Sequence, residues 1–211
     1  MDHPAQLTAL QIDLAGIFFS LDVATDYLVA GGAALLASEL IARPTEDLDL
    51  FATTPTTSVT QAKNVFSQAL QERDCDVTIV QDGPTFCRMI VNRAGEETLV
   101  DLAIDSPVQS KPTITVLGPT LAPLELAGRK LLALFGRAEA RDFADVYVLA
   151  QRFGTDALIE WAQALDPGFD LDVLGQMIGT LSRFDDNEIP LSREDLPLVR
   201  AFFTSWSSEL R

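Results

Sequence analysis

Asp47 and Asp49 stand two apart in Arg43-Pro44-Thr45-Glu46-Asp47-Leu48-Asp49-Leu50-Phe51, an apolar stretch with two acids set into it. On a strand, period-2 geometry points both carboxylates to one side and the apolar Leu48, Leu50 and Phe51 to the other. Two parallel carboxylates repel unless a cation lies between them, and hard oxygen donors suit Mg2+. Just upstream, Ala30-Gly31-Gly32-Ala33 places a Gly-Gly turn whose backbone can come close to a phosphate. Together these residues predict a magnesium-nucleotide site at the end of a sheet; the plainer alternative is a polar strand end. Thr45 offers a hydroxyl to a phosphate or, more simply, is a turn residue after Pro44.

Asp101 lies in a later apolar run and could complete the acid cluster as a third metal ligand or as a proton acceptor. Asp105 shares its face but sits at the boundary of a loop opened by Ser106-Pro107. A second constellation runs from Glu125 to Tyr147 and contains Lys130, Arg137, Arg141 and Asp145. Their spacing puts them near one stripe of a helix, unless Gly136 breaks that helix in two. Lysine as a point charge and arginine as a fork suit triphosphate or RNA phosphates. The competing explanation is an internal salt-bridge set, Arg141 with Asp145 and Arg137 with Glu139 or Glu125. Neither the GxGxxG nor the GxxxxGK[ST] pattern is present, so the Rossmann and P-loop readings fail.

The elements that must position these groups are legible in part. Helical spacing predicts a helix over 5–19, a strand over Tyr27–Ala30, and a helix over 33–42 that Pro44 ends. The acid strand follows, then a helix over 58–71 and strands over 75–81, 85–92 and 97–104, with Asn92-Arg93-Ala94-Gly95 as hairpin turn chemistry. A proline-rich loop over 106–123, with one short strand over 113–117, divides the chain into residues 1–120 and 121–211. Beyond it the pattern is helical, over 124–135, 139–153, 155–164, 170–182 and 195–208. The fold class expected is α+β with a mixed sheet, the helical C-terminal part packing on the core.

Composition narrows the chemistry. A formal charge of -16 at pH 7 argues against binding nucleic acid through a general basic surface, while leaving room for a local basic site. Much of the acidity lies after Phe153, where eleven acids face four bases, which favours solubility or a basic partner. Two cysteines, Cys75 and Cys87, and the single histidine His3 leave no zinc site, disulfide framework or histidine catalysis. Both cysteines are expected to pack as small apolar groups, and Trp161 and Trp206 to lie in the core or on a partner surface. With neither signal peptide nor membrane span in view, a cytoplasmic protein is the default.

Taken together, the Gly-Gly turn, the Arg-Pro-Thr-x-Asp-Leu-Asp-Leu-Phe strand and the Lys130 to Tyr147 segment resemble the nucleotidyltransferase-like AbiEii/AbiGii toxin family, MenT toxins of mycobacteria included. The resemblance covers roughly Tyr27 to Leu149 and implies a DNA polymerase beta-like nucleotidyltransferase core with a helical C-terminal part. It implies the toxin of a type IV toxin–antitoxin pair with a cognate antitoxin. It further implies an Mg2+-dependent enzyme adding nucleotides, preferentially pyrimidines, from NTP to the 3′ end of tRNA. Carried over by position, Asp47 and Asp49 resemble the family's metal-binding acids, Thr45 its small hydroxyl residue, Lys130 its triphosphate lysine and Asp145 its downstream acid. Arg137, Arg141 and Asp142 match its further Arg and Arg-Asp positions. Gly31-Gly32 stands where many polymerase beta-like enzymes have Gly-Ser, which removes one hydroxyl near the phosphates. Two other functions compete: nucleotidyl transfer to a protein or small molecule, and a catalytically silent nucleotide-binding module.

Overall fold

Gln11 shows how the sequence builds the scaffold around the acids. In the computed structural model, which describes residues 6–210, helix α1 (Ala9–Phe19) starts in a capping box. The Thr8 hydroxyl accepts the Gln11 backbone N–H at 3.1 Å, and the Gln11 side-chain oxygen accepts the Thr8 N–H at 2.9 Å. The same buried amide then donates through Nε2 to the Thr45 carbonyl at 3.0 Å and to the Asp47 carbonyl at 3.4 Å. One side chain thus caps a helix and pins the entrance to the acid strand. The expected helix began at Ala5, which, like His3, lies outside the described residues.

The chain divides into two compact units, the first ending at Ala122 and the second beginning at Pro123. In the first, β1 (Tyr27–Ala30) leads directly into the short helix α2 (Gly31–Ala37). Strand β2 (Asp47–Ala52) and helix α3 (Val59–Gln71) follow, and then β3 (Asp76–Asp82), β4 (Phe86–Arg93), β5 (Glu96–Ile104), β6 (Thr113–Thr115) and β7 (Gly118–Thr120). The strands form one seven-stranded mixed sheet in the order β3-β4-β5-β2-β1-β7-β6. β2 runs antiparallel to β1 and parallel to β5, as an α+β fold with a mixed sheet requires.

Alternation decides which face is core. Leu48, Leu50 and Ala52 of β2, Val100 and Leu102 of β5, and Cys87, Met89 and Val91 of β4 are all buried, and α1 and α3 pack against the sheet. Phe18 of α1 anchors this layer, with edge-on ring contacts to Tyr27 at 5.1 Å and Phe66 at 5.0 Å. The other side of β2 carries Asp47, Asp49 and Phe51, all partly exposed. Phe51 therefore shares the acids' face and not that of Leu48 and Leu50, as its even spacing from Asp49 dictates. Cys75 and Cys87 are buried and packed as apolar groups, and burial pushes the Cys87 thiol up.

Other expectations are corrected in detail. Gly31 and Gly32 are the first residues of α2 rather than a turn before it, and α2 stops at Ala37 because Glu39 takes a left-handed backbone, φ 55°. The strand expected over 113–117 is two three-residue strands, β6 and β7, whose second member holds Pro119 and pairs with β1 through Val29 and Thr120. The hairpin joining β4 and β5 turns on Ala94 and Gly95, both at positive φ.

The second unit is helical: α4 (Pro123–Gly136), α5 (Ala140–Phe153), α6 (Thr155–Leu165), α7 (Leu171–Gly179) and α8 (Leu196–Glu209). Gly128 of α4 sits so close to Trp161 of α6 that a Cβ there would meet the Trp161 Cβ at 2.5 Å, so the pair packs only with glycine. Trp206 of α8 is buried with Phe202 and Phe203 around it. Among the described residues no helix is long and apolar enough to cross a membrane.

Candidate active site

Four adjacent strands place four residues in one cross-strand row. Ala30 of β1 pairs with Asp49 of β2, Asp49 with Asp101 of β5, and Asp101 with Arg88 of β4. Residues in register share a face, so Asp49, Asp101 and Arg88 project to the same side, and Asp47 projects to it one pleat along. Three carboxylates predicted to form one cluster are thereby brought to one face of one sheet.

The glycines explain how Asp49 fits. Gly31 is left-handed, φ 62°, and a Cβ built on it would overlap the Asp49 carboxylate. A Cβ on Gly32 would fall 2.7 Å from the Thr45 hydroxyl oxygen. Both glycines thus serve the site by leaving room for Asp49 and Thr45, and this space is the cradle that holds the acid strand against α2. Arg43, whose guanidinium donates to the Pro44 carbonyl at 3.1 Å, edges the same loop.

Arg88 is the residue that sequence reasoning missed. Its guanidinium grips Asp101 as a fork, Nε to Oδ1 at 2.8 Å and Nη2 to Oδ2 at 2.7 Å. It also lies over the Phe86 ring, 5.6 Å from its centroid. The Asp101 side chain is only 7% exposed whereas that of Arg88 is 41% exposed, so the acid is buried and its counter-charge reaches toward solvent. The hydrogen bonds to Asp101 raise the Arg88 pKa against the opposing effect of burial, and the charges of Asp101, Asp47 and Asp49 add to the rise. Arg88 therefore feels the negative charge of all three acids. Asp105 falls just past β5; its carboxylate accepts the Ser106 N–H at 2.7 Å and shapes the loop.

A divalent cation fits this donor set. The groups are hard carboxylate oxygens, they share one face, and a positive charge is already drawn to them. Among the described residues no group of three or more His, Cys, Asp or Glu side chains is arranged to hold a metal by itself. Asp47 and Asp49 would supply the protein oxygens, with Asp101 engaged by Arg88.

The second constellation is a network inside the helical unit. The helix divides at Gly136, in keeping with the separate helices expected over 124–135 and 139–153: α4 ends at Gly136, Ala138 is left-handed at φ 50°, and α5 starts afresh at Ala140. Lys130, nearly buried, lies 3.1 Å from Asp145 and 3.5 Å from Asp142, both fully buried. Arg137 closes on Asp142 at 2.9 Å and reaches Glu139 at 3.8 Å, while Arg141 pairs with Glu139 at 2.9 Å. Glu125, the other partner considered for Arg137, bonds Arg129 one turn on at 2.9 Å. Burial works to raise the Asp142 pKa, but hydrogen bonds from Arg137, the charges of Lys130 and Arg137, and the Glu139 backbone N–H hold it below the usual carboxylate value. Salt-bridge pairing therefore accounts for much of this segment, with the side chains of Arg137 and Arg141 still nearly half exposed.

The family described as "Nucleotidyl transferase AbiEii toxin, Type IV TA system" matches residues 14–195. Among solved structures, a protein of Helicobacter pylori assigned as a nucleotidyltransferase superposes with a TM-score of 0.57 at 19% identity, covering 97% of each chain. JHP933 from the same organism superposes with a TM-score of 0.55 at 20% identity, covering 97% of this chain and 95% of that one. MenT4, the nucleotidyltransferase toxin Rv2826c of Mycobacterium tuberculosis H37Rv, gives a TM-score of 0.49 at 13% identity, covering 97% of this chain and 95% of that one. No curated protein matches the sequence.

Proposed function

The chain belongs to the nucleotidyl transferase AbiEii toxin family of type IV toxin–antitoxin systems, and from that premise we propose that it adds nucleotides, pyrimidines by preference, from NTP to the 3′ end of tRNA in the cytoplasm. Nucleotidyl transfer and an antitoxin partner come with the family; the acceptor, the base and the metal Mg2+ are the reading offered here. The observation that carries it is the Asp49 carboxylate seated against Gly31, where no Cβ fits, with Asp47 beside it on the same strand face.

In this reading Asp47 and Asp49 hold Mg2+, which when bound neutralises triphosphate oxygens and favours in-line displacement. Asp101 completes the acidic face, and Thr45 and the backbone of Gly31 and Gly32 border the phosphates. The acceptor 3′-hydroxyl forms the new P–O bond to the α-phosphate, loses its proton, and pyrophosphate leaves. Within the helical unit taken by itself, the family resemblance assigns Lys130 to a phosphate with Asp145 orienting its ammonium, and Arg137 and Arg141 to further phosphates.

One observation favours a second acceptor class: a net charge of -16 is unfavourable for polyanion binding and suits a protein or small-molecule hydroxyl. Incubation with total tRNA and each α-labelled NTP in turn separates the two. The tRNA reading expects label on tRNA, strongest with CTP or UTP, and lost progressively as salt rises. Label absent from every tRNA species, or transfer indifferent to salt, contradicts it.

A further inference from the structure

Arg88 stands out because it is a cation fixed on the acid row, beside the carboxylates read here as metal-holding. It comes from β4, so it is not part of the Asp47-x-Asp49 motif, and it meets Asp101 directly across the β4–β5 ladder. Both guanidinium-to-carboxylate bonds are short, 2.8 and 2.7 Å, which uses one lone pair on each Asp101 oxygen. Asp49 is the next residue in the same row, on the other side of Asp101.

We propose that Arg88 is a positioning residue of the acid cluster, an internal counter-cation that holds Asp101 and competes with the divalent cation for it. The proposal rests on the reading of Asp47 and Asp49 as metal-holding acids. It has a physical consequence opposite to that of an ordinary ligand. Arg88 fixes the Asp101 carboxylate in place on the row, and it also subtracts a positive charge's worth of attraction from the site. Removing it releases a third carboxylate and leaves the cluster more negative, so the metal binds more tightly. An arginine serving only to stabilise the sheet would leave metal affinity unchanged.

The test is Mn2+ binding to the full chain without nucleotide, followed by electron paramagnetic resonance of the free ion and by calorimetry. Arg88→Met keeps the aliphatic stem and removes the charge; the expected result is an affinity for Mn2+ higher by about tenfold, the ratio that 1.4 kcal/mol produces. Arg88→Lys, which keeps the charge but not the fork, is expected to fall between wild type and Arg88→Met, and keeps the comparison open if the methionine variant does not fold. Adding Asp101→Asn to Arg88→Met should return the affinity to the wild-type value or below it. Equal or weaker Mn2+ binding in both Arg88 variants overturns the proposal. If Asp49→Asn leaves wild-type Mn2+ binding intact, the ion sits elsewhere, and it is the underlying reading of the acid pair that fails, taking the proposal with it.

Discussion

Replacing Gly31 by alanine tests the site at its tightest point. Gly31 has φ 62°, and its missing Cβ is the space into which the Asp49 carboxylate is set. Two costs follow. A left-handed alanine is disfavoured by about 1–2 kcal/mol, which in a chain of this size lowers the thermal midpoint by about 2–8 °C. The methyl group also overlaps the carboxylate, so either Asp49 or α2 must move by on the order of an ångström, and a misplacement of that size costs about 100-fold in rate. The assay pairs nucleotidyl transfer with far-UV circular dichroism, which follows folding of the whole chain. Gly16→Ala is the matched control: that glycine is exposed within α1 and a Cβ there meets nothing within 4 Å, so it should leave activity unchanged and raise stability slightly. A Gly31→Ala enzyme that is folded and transfers within about threefold of wild type would refute the argument that Asp49 needs this space.

Three further outcomes are expected. Gln11→Leu strands the Thr45 carbonyl and the Thr8 N–H that its amide now bonds, and should cost about 1–3 kcal/mol in urea unfolding; a change below about 0.5 kcal/mol contradicts the pinning role. Lys130→Met leaves Asp142 and Asp145 buried without their ammonium and should destabilise the helical unit by about 3–5 kcal/mol. Both tryptophans, Trp161 and Trp206, lie in that unit, so their fluorescence reports it alone, and an unshifted fluorescence transition would show that the network does not stabilise it. Because the folded Asp142 pKa is held below the usual 3.8, its contribution is present above that value and vanishes as pH falls through the lower folded one. Asp142→Asn should therefore flatten the acid limb of the fluorescence stability curve, and an equal acid slope in the variant contradicts the assignment.

What could be read from the sequence follows from how local each signal is. The acid strand β2 was legible because alternation is a property of adjacent residues, and its polar and apolar positions do face opposite sides apart from Phe51. The mixed sheet and the helical half were legible for the same reason. By contrast, β7 is three residues long with a proline inside, and it exists because Val29 offers it a parallel partner about ninety residues away. Arg88 was invisible because its meaning lies across the ladder: within β4 it is one charged residue, and only the β4–β5 and β2–β5 registers place it in line with Asp101 and Asp49. Gln11 is likewise non-local in its role: the Thr8-to-Gln11 spacing is a local capping-box signal, but its bonds to the Thr45 and Asp47 carbonyls lie across the fold. The break between Lys130 and Asp145 was legible at Gly136, a local signal, and the left-handed Ala138 completes it.

The most direct test of the account is transfer of label from α-labelled CTP to total tRNA by wild type and by Asp49→Asn, each across a range of Mg2+ concentrations. The account predicts that wild-type transfer requires Mg2+ and that Asp49→Asn, with its fold intact by circular dichroism, transfers nothing detectable at any concentration. Transfer by Asp49→Asn at the wild-type rate, with the same Mg2+ dependence, would contradict it.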